Sequence, residues 1–159
     1  MYAPKMLSVC RQYINDIHYA EDVMVVGFAR VFRYLSSYRN EGSFEGWIRC
    51  IMVREAISFL RKQQKVEFVT DELPQTEDNS ILPPTDLEVN DIQQLIDELP
   101  EGYRMVFLMY AVEGYKHQEI AELLQISEST SKSQLFKARR LLQQKIKNLD
   151  RRDHGTRRI

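Results

Sequence analysis

Cysteine is scarce in this 159-residue chain, with Cys10 and Cys50 far apart and without companions at metal-ligand spacing. That excludes a disulfide framework and a zinc knuckle, and both thiols read as free and buried. Long apolar runs are also missing. No stretch approaches the ~20 residues needed to cross a bilayer, so no membrane insertion is expected. The opening MYAPKMLSVC lacks the basic head and apolar stretch of an export signal, which points to the cytoplasm. His18, His117 and His154 are scattered, carboxylates do not cluster at metal spacing, and there is no glycine-rich phosphate loop. No catalytic centre, metal or cofactor is therefore expected. Proline is absent between Pro4 and Pro74, as are Asn-Gly and Asp-Gly hairpin signals, so the N-terminal part reads as helix rather than sheet.

What is present is a sharp segregation of charge. Residues 1–65 carry 10 Lys+Arg against 6 Asp+Glu, residues 66–115 carry 1 against 12, and residues 116–159 carry 11 against 5. Two basic modules thus flank an acidic middle. Basic faces suit a polyanion, and an acidic spacer between them is repelled by the same ligand; ordinary solvated surface is the blander reading. Residues 67–91 hold three prolines, eight acidic residues and no base, the composition of an extended, solvated linker.

Apolar spacing in the first module fits three helices. The first runs from about Pro4 to Asp16. A second starts near Glu21 and Asp22, whose carboxylates favour a helix N-terminus, and continues to about Ser36. Its VMVVGFARVFRYL stretch is apolar nearly all round, which implies burial in a bundle or a face kept for a partner. Asn40 and Gly42 mark a turn and Ser43 an N-cap for a long helix, Phe44 to about Gln63. Phe44, Ile48 and Ile51 form its expected core stripe. Trp47, Arg54, Ser58, Arg61 and Lys65 recur on another stripe, basic with an aromatic at its head. Its cations suit phosphates; Trp47 suits either the core or a stacked base.

In the last module Asp91 is expected to cap a short helix to about Glu98, and Pro100 to begin another with apolar positions 103, 106, 107 and 110, ended by Gly114. HQEIAELL, a turn at Gln125 and Ile126, and Ser127 as N-cap of a helix to about Leu149 complete a helix-turn-helix. At 100° per residue, Ser131, Leu135, Ala138 and Leu142 fall within a sector of about 60°, the expected packed face. Ser129, Ser133, Phe136, Lys137 and Arg140 lie opposite, with Thr130 and Lys132 on the flanks. Small polar and basic residues facing outward from the first turns are what a helix in a major groove needs, since they reach phosphates and base edges.

The run GYKHQEIAELLQISESTSKSQLFKARRLL resembles the second DNA-binding domain of sigma factors of the extracytoplasmic-function group of the sigma-70 family. The upstream AEDVMVVGFARVF and GSFEGWIRCIMVREAISFLRK resemble the other domain, in the family's order and spacing. The resemblance implies a non-enzymatic subunit that binds core RNA polymerase and directs it to promoter DNA, with an anti-sigma factor as a candidate partner. A stand-alone regulator with the same helix-turn-helix is the alternative. The AEDV helix, around Asp22, Phe28 and Val31, would dock on polymerase, and Val25 and Val26, where the family has Gln and an acid, make that docking more apolar. Arg39, Asn40, Gly42 and Ser43, with Arg54, Ser58 and Arg61, would face the minus-ten element. Ser129, Thr130, Lys132, Ser133, Lys137 and Arg140 would face the minus-thirty-five element.

The expected architecture is all-α. Two small helical domains, 1–66 with its N-terminal helix short or missing and 91–150, are joined by an acidic flexible linker over 67–90 and followed by a basic tail, 151–159.

Overall fold

A computed structural model describes residues 1–63, 68 and 89–156, and these are all-α, without strands. Most of the acidic segment 67–90, and Lys65 of the basic stripe, lie outside the described residues. The chain divides into two compact units, Met1–Val66 and Glu67–Ile159.

In the first unit α1 spans Ala3–Tyr13, α2 Ile17–Arg33 and α3 Phe44–Lys62. The start of α2 corrects the sequence expectation by several residues. The Asp16 carboxylate accepts the N–H groups of His18 at 2.9 Å and Tyr19 at 3.3 Å, so it caps α2 rather than ending α1. A cap that satisfies two orphan amides directly outweighs the diffuse attraction of Glu21 and Asp22 for the helix dipole. Ser43 caps α3 as expected, accepting the Gly46 N–H at 3.3 Å.

The inward stripe of α2 is Ala20, Val23, Gly27 and Val31. A Cβ at Gly27 would sit 2.4 Å from Met52 Sδ, so the glycine leaves the room that the buried Met52 side chain fills between α2 and α3. An ion pair, Arg30 Nε to Glu55 Oε1 at 2.7 Å, ties the same two helices. α3 buries Ile48, Met52, Val53, Ala56, Ile57 and Leu60, and α1 adds Met6, Val9, Cys10 and Tyr13. Of the stripe expected on α3 only Ile48 is in the core, since Phe44 and Ile51 are half-buried beside it. The helix is clamped by α1 and α2 together, so its buried arc is wider than one stripe and centred elsewhere.

Burial pushes the Cys10 thiol up to about 11, which leaves it unreactive at neutral pH. Cys50, expected to be buried, is exposed. It stands one turn before Arg54 and shares that outward face.

In the second unit α4 spans Val89–Asp97, α5 Glu101–Phe107, α6 His117–Leu124 and α7 Glu128–Thr156. Asp91 lies inside the first turn of α4 rather than capping it, and Pro100 is the residue before α5 rather than its first. Arg104 is fully buried and donates from Nη1 to the Asp97 carbonyl at 3.1 Å. Desolvation lowers its pKa while Glu101 and Asp97 oppose that shift, so the charge is kept and set at the C-terminal end of α4, where a cation is favoured.

A π-helical turn, Leu108–Val112, follows α5, and Gly114 at φ +77° releases the chain into α6. α7 continues to Thr156, past the end near Leu149 and into residues read as a tail. It meets no proline, and no glycine before Gly155, to stop it. Leu95, Ile96, Leu99, Met105, Val106, Leu108, Met109, Ile120, Leu124, Leu135, Ala138, Leu142 and Ile146 make the core of this unit.

Candidate nucleic-acid interfaces

The α6–α7 turn is built by local chemistry. The Glu119 carboxylate accepts the Lys116 N–H at 2.7 Å at the start of α6. At its end Gln125 takes a left-handed conformation, φ +55°, and the Ile126 N–H bonds to the Ala121 carbonyl at 3.1 Å. Ser127 then caps α7, its Oγ accepting the Thr130 N–H at 2.9 Å. With Ile120 and Leu124 packed in the same core as Leu135, Ala138 and Leu142, the two helices make the tight crossing of a helix-turn-helix.

On α7 Ser129, Lys132 and Arg140 are exposed, and Phe136 and Lys137 are half-buried. Lys132 pairs with Glu128 one turn earlier at 3.2 Å, an exposed contact that a phosphate can displace. Two residues expected to meet the minus-thirty-five element, Ser133 on the outward face and Thr130 on its flank, are buried instead. Thr130 is only 7% exposed and Ser133 only 2%. Thr130 Oγ1 is hydrogen-bonded to Ser127 Oγ at 2.7 Å, and Ser133 Oγ donates to the Thr130 carbonyl at 3.0 Å. Their short hydroxyl side chains fold back on the preceding turn and are spent on the helix itself. The outward arc is therefore narrower and more basic than the sequence indicates.

His117, which sequence reasoning left without a role, sits at the junction of three elements. Its Nδ1 is hydrogen-bonded to Ser131 Oγ at 2.9 Å, and its ring stacks on Tyr110 with centroids 4.7 Å apart. Burial, and next the Lys132 charge, hold the imidazole below its usual pKa against the pull of Glu128, so it is neutral at pH 7. No sequence signal pointed to this contact, since its partners lie seven residues before and 14 residues after His117.

In the first unit the loop before α3 is pinned by the Tyr38 hydroxyl, which donates to the Gly42 carbonyl at 2.9 Å. Asn40 at φ +55° and Gly42 at φ +91° shape it. Tyr38, Phe44 and Trp47 pack against one another at centroid distances of 5.1 to 5.7 Å, and Tyr2 joins Phe44 at 5.9 Å. Trp47 is thus half-buried in an aromatic cluster at the head of α3. Arg39, Asn40, Ser43, Arg54 and Arg61 are exposed and Ser58 is half-buried, so loop and helix present a polar, basic surface beside the aromatics.

Of the three residues assigned to partner docking, Asp22 is exposed, Phe28 is half-buried and Val31 is 4% exposed. Val31 belongs to the core, since it continues the inward Ala20–Val23–Gly27 stripe. The apolar surface of α2 is carried instead by Val25 at 63%, Val26 at 49% and Phe32 at 74% exposure, with Tyr34 and Leu35 exposed just beyond. Among the described residues no helix is long and apolar enough to cross a membrane, and no group of His, Cys, Asp and Glu is placed to hold a metal.

Comparisons with known proteins follow the same division. Residues 1–66 match the family model for Sigma-70 region 2, and residues 90–142 the model for Sigma-70, region 4. The RNA polymerase sigma factor SigV of Bacillus subtilis is 28% identical over 135 residues, 82% of this chain and 77% of that protein. The ECF RNA polymerase sigma factor SigW of the same organism is 26% identical over 162 residues, 94% of this chain and 87% of its own length. Among solved structures, the sigma factor RpoE of Bartonella quintana, crystallised in complex with the anti-sigma factor NepR, superposes with a TM-score of 0.54 at 18% identity over 89% of each chain.

Proposed function

Because the chain belongs to the sigma-70 family, as an RNA polymerase sigma factor of the extracytoplasmic-function group, we propose a division of labour between its two units. As a sigma factor it binds core RNA polymerase, directs promoter recognition and starts transcription. The observation that carries the reading is the presence, in one chain and in family order, of region 2 and of a region 4 whose helix-turn-helix turns a basic arc outward.

In the second unit Ser129, Lys132, Lys137 and Arg140, with Phe136 between them, meet the minus-thirty-five duplex. Thr130 and Ser133 support the helix from within. In the first unit Arg39, Asn40 and Ser43 with Arg54, Ser58 and Arg61 face the minus-ten element, where the aromatic cluster offers rings to an unstacked base. Core polymerase docks on α2 at Asp22, Val25, Phe28 and Phe32. The chemistry of RNA synthesis stays with polymerase, so this subunit needs no catalytic centre and no cofactor, and it works in the cytoplasm. The RpoE relative crystallised with an anti-sigma factor supports such an inhibitor as a further partner.

Arg140→Ala tests the outward arc. Loss of one exposed phosphate-reaching cation is expected to lower the slope of log affinity against log salt by about one, with folding intact. Salt titration of holoenzyme on promoter duplex measures it, and an unchanged slope removes Arg140 from the interface.

Footprinting with and without core polymerase tests the function as a whole. Protection of a promoter only when core is present is expected, because each small unit has modest affinity of its own. Protection of an operator by the chain alone would make it a stand-alone regulator.

A further inference from the structure

His117 opens α6, yet its side chain is tied to the elements on both sides of that helix. Nδ1 meets Ser131 Oγ at 2.9 Å, and Ser131 is fully buried on the inward face of α7. The same imidazole lies nearly parallel to the Tyr110 ring, 22° between planes, in the π-helical turn. Tyr110 is in turn covered by the Arg139 guanidinium, 5.6 Å from its ring centroid. A chain of contacts therefore leaves α7 at Ser131, passes through His117 and Tyr110, and returns to α7 at Arg139.

Those two anchor points are eight residues apart, about 12 Å along the helix axis. Lys132 and Phe136 project between them, and Arg140 follows the second anchor directly. The apolar ridge of Leu135, Ala138 and Leu142 holds α7 against the core but tolerates small rotations, because dispersion contacts are not directional. A hydrogen bond and a ring stack are directional, and they fix the rotation of α7 about its own axis.

We propose that His117 is a positioning residue for promoter reading, which through Ser131 and Tyr110 sets the angle at which α7 presents Lys132, Phe136 and Arg140 to DNA. This rests on the assignment of α7 as the helix that meets the minus-thirty-five element. His117 itself touches no base.

The test uses full-length chain with bacterial core polymerase, on a promoter duplex recovered by the wild-type holoenzyme from a random-sequence library. The readout is the ratio of run-off transcript from that promoter to transcript from the same promoter with its minus-thirty-five element scrambled. His117→Phe keeps volume and stack but loses the bond to Ser131, and Ser131→Ala removes the bond from the other side. Each is expected to lower the ratio about tenfold while shifting the melting temperature little, and the double variant to lower it no further than either single one.

His117→Asn puts a polar atom near the place of Nδ1 but gives up the ring stack, and is expected to recover the part of the ratio that depends on Ser131. It also decides the matter should His117→Phe fail to fold. An unchanged ratio in His117→Phe, or losses that multiply in the double variant, would overturn the proposal, as would loss of the ratio in a folded His117→Asn. A wild-type chain that makes no distinction between intact and scrambled elements would instead overturn the assignment of α7, a different and recognisable failure.

Discussion

Phe32→Asp is expected to abolish retention of the chain by core polymerase while leaving it folded. Phe32 is the most exposed large apolar side chain of α2, at 74%, and contributes little to the first unit's core. The exposed Val25 and Phe32, with the half-buried Phe28 between them on one face of the helix, mark a docking surface rather than a solvated one. An aromatic anchor at the centre of such a surface carries about 2 to 4 kcal/mol, and a carboxylate in its place adds the cost of a buried charge. Loss of affinity by about 30-fold or more is expected, measured by titration of labelled chain with core enzyme. The companion Val31→Asp puts a charge into the core and should unfold the unit instead. Undiminished affinity of Phe32→Asp would move the docking surface elsewhere.

Leu135→Ala is expected to produce a large loss of stability in the second unit. Leu135 is buried on the inward face of α7, among the side chains that hold the helix-turn-helix together. Truncation removes burial and leaves a cavity that rigid helices fill poorly, for a cost of about 2 to 5 kcal/mol. A folded unit of this size has only about 3 to 10 kcal/mol in reserve, so most of the second unit's stability goes. Denaturant unfolding followed by circular dichroism, with Arg140→Ala as the exposed control on the same helix, measures it. Equal effects from Leu135→Ala and Arg140→Ala would undo the division of α7 into inward and outward faces.

Much of this architecture was legible because it is written in local rules. Ser43 and Ser127 were found as caps because a hydroxyl before an apolar-periodic run has one obvious use. The packed face of α7 followed from its period alone. Thr130 and Ser133 were placed towards DNA because a helical wheel locates a Cβ and says nothing of a hydroxyl that turns back to Ser127 Oγ or to the Thr130 carbonyl. Val31 was misplaced for a different reason. A resemblance transfers a helix as a whole, whereas the steps from Ala20 through Val23 and Gly27 to Val31 already marked the inward side.

The buried Arg104 and the π-helical turn left no periodic signal. One depends on a carbonyl seven residues earlier, and the other on a single residue's worth of extra backbone. His117 was invisible for the same reason. Its partners Tyr110 and Ser131 meet it only after the helix-turn-helix has closed.

Run-off transcription tests the central claim most directly. Purified chain is added to bacterial core polymerase with a library of promoter-length duplexes, and the transcripts are sequenced. Transcription above that of core alone, from templates sharing an upstream element and a minus-ten element at fixed spacing, is the expected result. No stimulation of core, or stimulation without a common element, would contradict it.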